Sequence, residues 1–349
     1  MSQAASHGMP GDPVNGRPVS ATIAEAQPLD MSDVYAPIKS ELAQVEATLK
    51  RELSSETPFV DSLLEHSWML GGKRIRPVLL LLAGKCAGNL KSGHFDLAAA
   101  VEMIHIATLV HDDVLDKATH RRHQETVNSK WGEKVSILLG DYLFTHAFHV
   151  ASKAGCAESL NLLAKASNRV CEGEMRQNAW QGNYALKEAD YLQMISEKTA
   201  ELCSISCLLG AKFAGAPTSN AEEFETFGRY LGVAFQIIDD VLDLVGKQEK
   251  VGKTLGTDLV NQKPTLPLIH CLENSSDSQK KQLMSLLEDP NSNHKQLLCL
   301  LDDTDSIEYA RAAARENAEL AARFTDSLAD SEAADALRML SQFVLSRTF

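Results

Sequence analysis

The chain has 349 residues, of which 44% are hydrophobic, 23% charged and only 11 proline, a composition that excludes a disordered or fibrous protein. Its net charge of -13 argues against nucleic acid as a partner, because phosphate backbones are held by surplus Lys and Arg. Any anion it binds must be met by a local concentration of its few basic residues.

Residues 1–32 contain no continuous apolar segment of the signal-peptide kind and read as a flexible polar arm. Residues 33–349 show no shift in composition and are expected to form one domain. Helical periodicity dominates from about Met31 onward, as in "VYAPIKSELAQVEATLKREL", and strand signals are scarce. Thr57 and Pro58 are suited to an N-cap and a first helical residue, Gly71-Gly72 to a stop, and Pro77 to the opening of the next helix. The run "VLLLLAG" from Val78 is too short to cross a bilayer, which takes about 20 residues. Breaks such as "GNLKSGH", "KAGCAES", "AGAPTSN" and "EDPNSN" recur at intervals that fit antiparallel helices joined by short loops, and so an all-α bundle. Seven cysteines without paired spacing indicate reduced thiols and a cytoplasmic location; Cys203 and Cys207, four apart, are expected in the core.

One pentapeptide, "DDVLD", occurs twice, after "VEMIHIATLV" at Asp112 and after "YLGVAFQII" at Asp239. On a helix, residues four apart share a face, so Asp112 and Asp116, and likewise Asp239 and Asp243, form carboxylate pairs spaced by about 6 Å. Carboxylates crowded at the end of a buried stretch repel and lose hydration unless a cation neutralises them. Hard oxygen donors without thiolates suit magnesium shared with a phosphate-bearing substrate. A single copy could equally be a solvated helix end, and the cluster Asp302, Asp303, Asp305 in "LDDTDS" is read as helix capping.

Basic residues stand where a diphosphate would need them. "GGKRIRP" places Lys73, Arg74 and Arg76 in a Gly-bounded loop before a helix, "THRRH" puts Arg121 and Arg122 just past the first aspartates, and "SEKTAELC" carries Lys198 and Thr199 on a helix. "VGKTLGTD" and "NQKPTLP" supply Lys253 and Lys263 after the second pair.

The ordered set "GGKRIRP", "DDVLD" with "RR", "GDYL", "GEMRQ", "EKT", "FQIIDDVLD", "GKTLGTDL" and "KPTLPLI" resembles that of the trans-isoprenyl diphosphate synthases, and among them the long-chain polyprenyl type. The resemblance runs from about residue 40 to the C-terminus. It implies a bundle of helices around a deep central cavity, a homodimer or a heteromer with a helper subunit, and product release that can occur at a membrane surface. It also implies about three magnesium ions per site. Asp112, Asp116 and Asp239 would hold them against the allylic diphosphate, with Asp113, Asp240 and Asp243 in support. Lys73, Arg76, His105 and Arg122 match positions for isopentenyl diphosphate; Arg121, Lys198, Thr199, Gln236, Lys253 and Lys263 match positions for the allylic diphosphate. The chain departs from the family pattern at His123 and Gln262, where Gly is usual, and at Thr254, where Pro is usual.

Product length follows from the same resemblance. Ala107 and Thr108 lie about one turn before Asp112, where short-chain members carry Phe or Tyr, so a long product of the octaprenyl class for isoprenoid or quinone side chains is expected over a farnesyl or geranylgeranyl product. Phe148 matches a floor position, although Phe144 and Phe148 also read as a plain core stripe. A terpene cyclase is disfavoured by the second "DDVLD" and by "GGKRIRP", and a non-catalytic regulatory subunit by the retention of every aspartate and basic loop.

Overall fold

The computed structural model describes residues 31–246 and 256–346. Among these the protein is almost wholly helical. A short helix α1 (Met31–Tyr35) and a 3-10 turn lead into α2 (Lys39–Glu52), α3 (Pro58–Met69), α4 (Ile75–Ala87) and the long α5 (Ser92–Leu115). A small hairpin, β1 (His120–Arg121) with β2 (Gln124–Glu125), precedes α6 (Val127–Trp131), α7 (Glu133–Ser152) and α8 (Ala157–Ala179). Then α9 (Glu188–Ile195) runs through a π-helical turn, Ser196–Ala200, into α10 (Glu201–Ala214), and α11 (Thr218–Val245) returns beside it. The C-terminal part comprises α12 (Thr257–Val260), α13 (Leu266–Asn274), α14 (Asp277–Leu286), α15 (Pro290–Asp303), α16 (Ser306–Ser327) and α17 (Glu332–Ser346).

The main core joins α4, α5, α7, α10, α11 and α16 through fully buried residues such as Leu79, Leu97, Met103 and Phe227. Phe324 of α16 meets Phe224 and Phe227 of α11 with ring centroids 4.9 and 5.6 Å apart. A satellite core of leucines, including Leu268, Leu283 and Leu301, closes α13, α14 and α15 beneath the end of α11. Helix α5 is long and apolar enough to cross a membrane, a feature the shorter run at Val78 did not disclose, but 72% of its most apolar window is buried in protein. Packing against neighbouring helices accounts for that apolarity.

Helices α5 and α7 are antiparallel. A Cβ added at Gly93 would lie 3.1 Å from that of Ala154, and one added at Gly140 would strike the ring of His111, which bonds to the Ile137 carbonyl at 3.1 Å. This register puts the aspartate end of α5 beside the start of α7.

Local expectations fare unevenly. Thr57 is the N-cap of α3 with Pro58 first, although the Thr57 hydroxyl caps nothing. Pro77 does not open α4: the helix starts two residues earlier at Ile75, and a proline in the first turn lacks only an N–H that would be unpaired there anyway. Asp302 and Asp303 end α15, and Asp305 occupies the N-cap of α16 at φ 53 without a side-chain capping bond, which corrects the capping reading of that cluster. Cys203 and Cys207 are buried in the core.

Candidate active site

Each pentapeptide ends a buried helix, and in both copies the second aspartate turns into the protein. Asp113 is 1% exposed, and Nε and one terminal nitrogen of Arg121 both lie 2.9 Å from its Oδ1. Burial raises the Asp113 pKa and Arg121 opposes that rise. Arg121 is aimed by the hairpin, whose corners Arg122 and His123 adopt φ 51 and 64, the left-handed pair of a tight two-residue turn. Asp240, also buried, accepts hydrogen bonds of 2.7 Å from Tyr191 Oη and from Gln236 Nε2. Those partners are neutral, so burial, reinforced by Asp258, pushes the Asp240 pKa up to about 8.

The first and last aspartates of the α5 copy, Asp112 and Asp116, face lysines. Lys263 Nζ is 2.9 Å from Asp116 Oδ1, 3.0 Å from its Oδ2 and 3.6 Å from Asp258 Oδ1; Asn261 Nδ2 donates to Asp116 at 3.3 Å. The Asp258 amide in turn donates to Asp243 Oδ2 at 2.9 Å. Asp116 of one pentapeptide and Asp243 of the other are thus joined through a single lysine and one backbone amide. Burial would lower the Lys263 pKa, but Asp258 and Asp116 outweigh it and the lysine is held charged. The loop closes at Gln262, which takes φ 52 where the family pattern has Gly; a non-glycine residue there costs roughly 1–2 kcal/mol. Asp239 is half-buried, and its charge adds to the rise in the Asp240 pKa.

A second route runs through the π-helical turn. Lys198 Nζ bonds to Gln177 Oε1 at 2.7 Å, pairs with the Glu174 carboxylate and lies 3.7 Å from Asp112 Oδ2. Its neighbour Thr199 donates to Gln236 Oε1 at 2.8 Å, and Gln236 continues to Asp240. Glycines permit this closeness: a Cβ on Gly173 of α8 would come within 2.5 Å of the Lys198 amide nitrogen, and one on Gly232 of α11 within 2.6 Å of Ala200 Cα.

A separate cationic group surrounds the loop before α4. Lys73 is exposed, with Nζ 4.5 Å from the centre of the Phe343 ring. Arg74 turns inward instead, at 2.8 Å from Glu46 and 3.1 Å from the buried Glu102, and so serves the fold. Arg76 Nε is buried without a hydrogen-bond partner, while Arg122 donates to the Leu70 carbonyl at 2.9 Å. Burial, then Arg76, Arg122, Arg121 and Arg74, hold the His105 pKa well below its usual value. Burial and the neighbouring Arg121 lower that of Arg122 as well. Cations that destabilise one another around an unpaired Arg76 N–H have the electrostatics of an anion site.

Among the chain-length residues, Thr108 is half-buried and its hydroxyl donates to the His105 carbonyl at 2.8 Å, whereas Ala107 is fully buried and has no surface to offer a ligand. Phe148 is half-buried against the main core. Lys253 and Thr254 lie outside the described residues. Sequence reasoning missed Glu174, Gln177, Tyr191, Asp258 and Asn261. The "GEMRQ" motif held the signal for the first two, which sit three apart on one helix face.

A family model described as polyprenyl synthetase matches residues 57–303. The chain is 33% identical over 309 residues to the octaprenyl diphosphate synthase of Escherichia coli (strain K12), covering 88% of this chain and 96% of that one. It is 34% identical to the heptaprenyl diphosphate synthase component 2 of Geobacillus stearothermophilus (92% and 100%) and 32% identical to a short chain isoprenyl diphosphate synthase of Methanothermobacter thermautotrophicus (91% and 99%). Among solved structures, a decaprenyl diphosphate synthase from Rhodobacter capsulatus superposes with a TM-score of 0.86 at 33% identity, covering 92% and 100% of the two chains. A polyprenyl synthase from Caulobacter crescentus, complexed with calcium and isoprenyl diphosphate, does so with a TM-score of 0.86 at 30% identity, covering 92% and 99%. The all-α fold, the paired aspartate helices and these matches together establish that the chain belongs to the polyprenyl synthetase family and is a prenyltransferase of the trans-polyprenyl diphosphate synthase type.

Proposed function

We propose that this enzyme condenses isopentenyl diphosphate with an allylic diphosphate and repeats the step to give a long-chain all-trans polyprenyl diphosphate. The observation that carries the reading is the junction of the two pentapeptides through Lys263 and Asp258, which directs both acid clusters at one site. The cations around Arg76 are suited to a second anion, as a reaction between two diphosphates requires.

Among the described residues, no three His, Cys, Asp or Glu side chains are grouped to hold a metal by themselves. The donors are hard carboxylate oxygens presented in pairs, which suits magnesium bound jointly by protein, water and substrate phosphate. Asp112, Asp116 and Asp239 would hold it, with Asp113, Asp240 and Asp243 behind them. When bound, the metal would neutralise the diphosphate and help it leave.

The protein's own groups account for the remaining steps. Lys198, Lys263 and Arg121 stabilise charge on the allylic diphosphate as its C–O bond breaks and the electron pair departs with the leaving group. Thr199 and Gln236 orient the same diphosphate, while Arg76, Arg122, Lys73 and neutral His105 hold isopentenyl diphosphate so that its double bond attacks the allylic carbon. The new cation then loses a proton to an oxygen of the expelled diphosphate, so no side chain is needed as base, and the substrate double bond, not a side chain, is the nucleophile.

The growing chain would run from the aspartates down the seam between α5 and α7. By their antiparallel register, Phe148 lies about two turns, roughly 10 Å, deeper than Thr108. A small residue at Thr108 with a bulky one farther down supports a long product. The short-chain relative makes product length the point to measure. We read the enzyme as a homodimer; the component 2 relative defines the alternative of a heteromeric partner. Purified protein alone, given magnesium, labelled isopentenyl diphosphate and an allylic primer, should form long prenyl products sized by chromatography. Absence of any product from this single chain would overturn the reading.

A further inference from the structure

The π-helical turn that carries Lys198 and Thr199 is clamped from both ends by one arginine outside every motif considered above. Arg229 Nη1 donates to Ser196 Oγ, the first residue of the turn, at 3.3 Å, and to Glu201 Oε2, the residue just after it, at 2.9 Å. Glu201 is 3% exposed, and its other oxygen accepts from Arg169 of α8 at 3.1 Å. Arg229 Nη2 is itself steadied by Glu225, one turn earlier on α11, at 3.2 Å.

The helical period places Arg229, Gly232, Gln236 and Asp240 along one face of α11. That face meets the turn in order: Arg229 at Ser196 and Glu201, Gly232 at Ala200, and Gln236 at Thr199. A π-helical turn contains one residue more than the α-helix around it and is less favourable than a continuous α-helix, so it persists only where tertiary contacts hold it. Reversion to α-helix would rotate one side of the segment by about 100° against the other and swing Lys198 away from Asp112. A buried carboxylate bridging two helices is a strong restraint of the required kind, because removing one partner leaves charge in a dry site.

We propose that Arg229 and Glu201 are positioning residues that fix the π register and thereby aim Lys198 and Thr199 at the allylic diphosphate. This rests on the prenyl-transfer reading for its functional consequence, but the structural part can be measured without it. In ligand-free protein, hydrogen exchange of a peptide spanning residues 196–201 should quicken in Arg229→Ala and Glu201→Gln and stay near wild type in Arg229→Lys. Kinetically, Arg229→Ala should lower kcat/KM for the allylic primer by roughly 10–100-fold, with the KM for isopentenyl diphosphate unchanged and most of the loss rescued by Arg229→Lys. Combined with Lys198→Ala, it should add less than about twofold, because the two residues act as a unit. Unchanged exchange of the segment overturns the proposal, as does a double variant in which the two losses multiply. If Arg229→Ala unfolds, the comparison of Glu201→Gln with Arg229→Lys decides the same question. Failure of the wild type to transfer prenyl groups would remove the prenyl-transfer reading while the exchange result still judges the clamp.

Discussion

His105 faces four arginines from α5, so its neutrality is part of how the cationic group can exist without its anion. Its folded pKa lies well below the ordinary 6.5, with burial the first cause and the arginines next. Below about pH 6.5 the unfolded chain takes up a proton that the folded chain refuses, so this group's contribution to stability is present at neutral pH and lost as pH falls. The slope approaches about 1.4 kcal/mol per pH unit. Urea unfolding at pH 7.5 and 5.5 should therefore show a smaller acid loss in His105→Gln than in wild type; equal losses would mean that the ring titrates normally. Asp113 and Asp240 make the complementary point: identical letters in identical pentapeptides meet an arginine in one case and a tyrosine and an amide in the other. The pentapeptide marks Asp113 and Asp240 only as supports of the metal-facing aspartates by resemblance; their burial and their partners come from the packing of other elements.

At the scale of the element, α8, the π turn and α11 form a three-part sandwich whose spacing depends on Gly173 and Gly232. Gly232→Ala would drive a methyl to within 2.6 Å of the Ala200 Cα, an overpacking that costs roughly 1–3 kcal/mol and lowers Tm by about 1–4 °C in a chain of 349 residues. Thermal unfolding followed by circular dichroism tests this; an unchanged Tm would mean that α11 shifts freely. The long helices were legible because apolar periodicity and local stops such as Thr57-Pro58 are written in adjacent residues. The π turn was not, since "SEKTAELC" has an ordinary helical composition and its extra residue is imposed by Arg229 and Gln236 from α11. The hairpin escaped notice because two-residue strands are too short to show alternation. Pro77 misled because Ile75 and Arg76, which open α4, carry no helix-start signal of their own.

Across the whole molecule, α5 and α11 deliver two acid clusters to one place, and the α5–α7 seam leads away from it. If that seam guides the product, Thr108→Phe should shorten the prenyl chains and Phe148→Ala lengthen them, with the rate of the first condensation within about threefold of wild type. Product sizing decides it, and an unaltered distribution in Thr108→Phe would place the chain along another wall. Whether both pentapeptides act on one leaving diphosphate is decided by steady-state prenyl transfer in Asp112→Ala, Asp239→Ala and the double variant. Each single change should lower kcat by about a thousandfold or more, and the double variant should be little worse than either alone, as for residues acting as a unit. Near-normal turnover in either single variant, or losses that multiply in the double, would contradict this joint action.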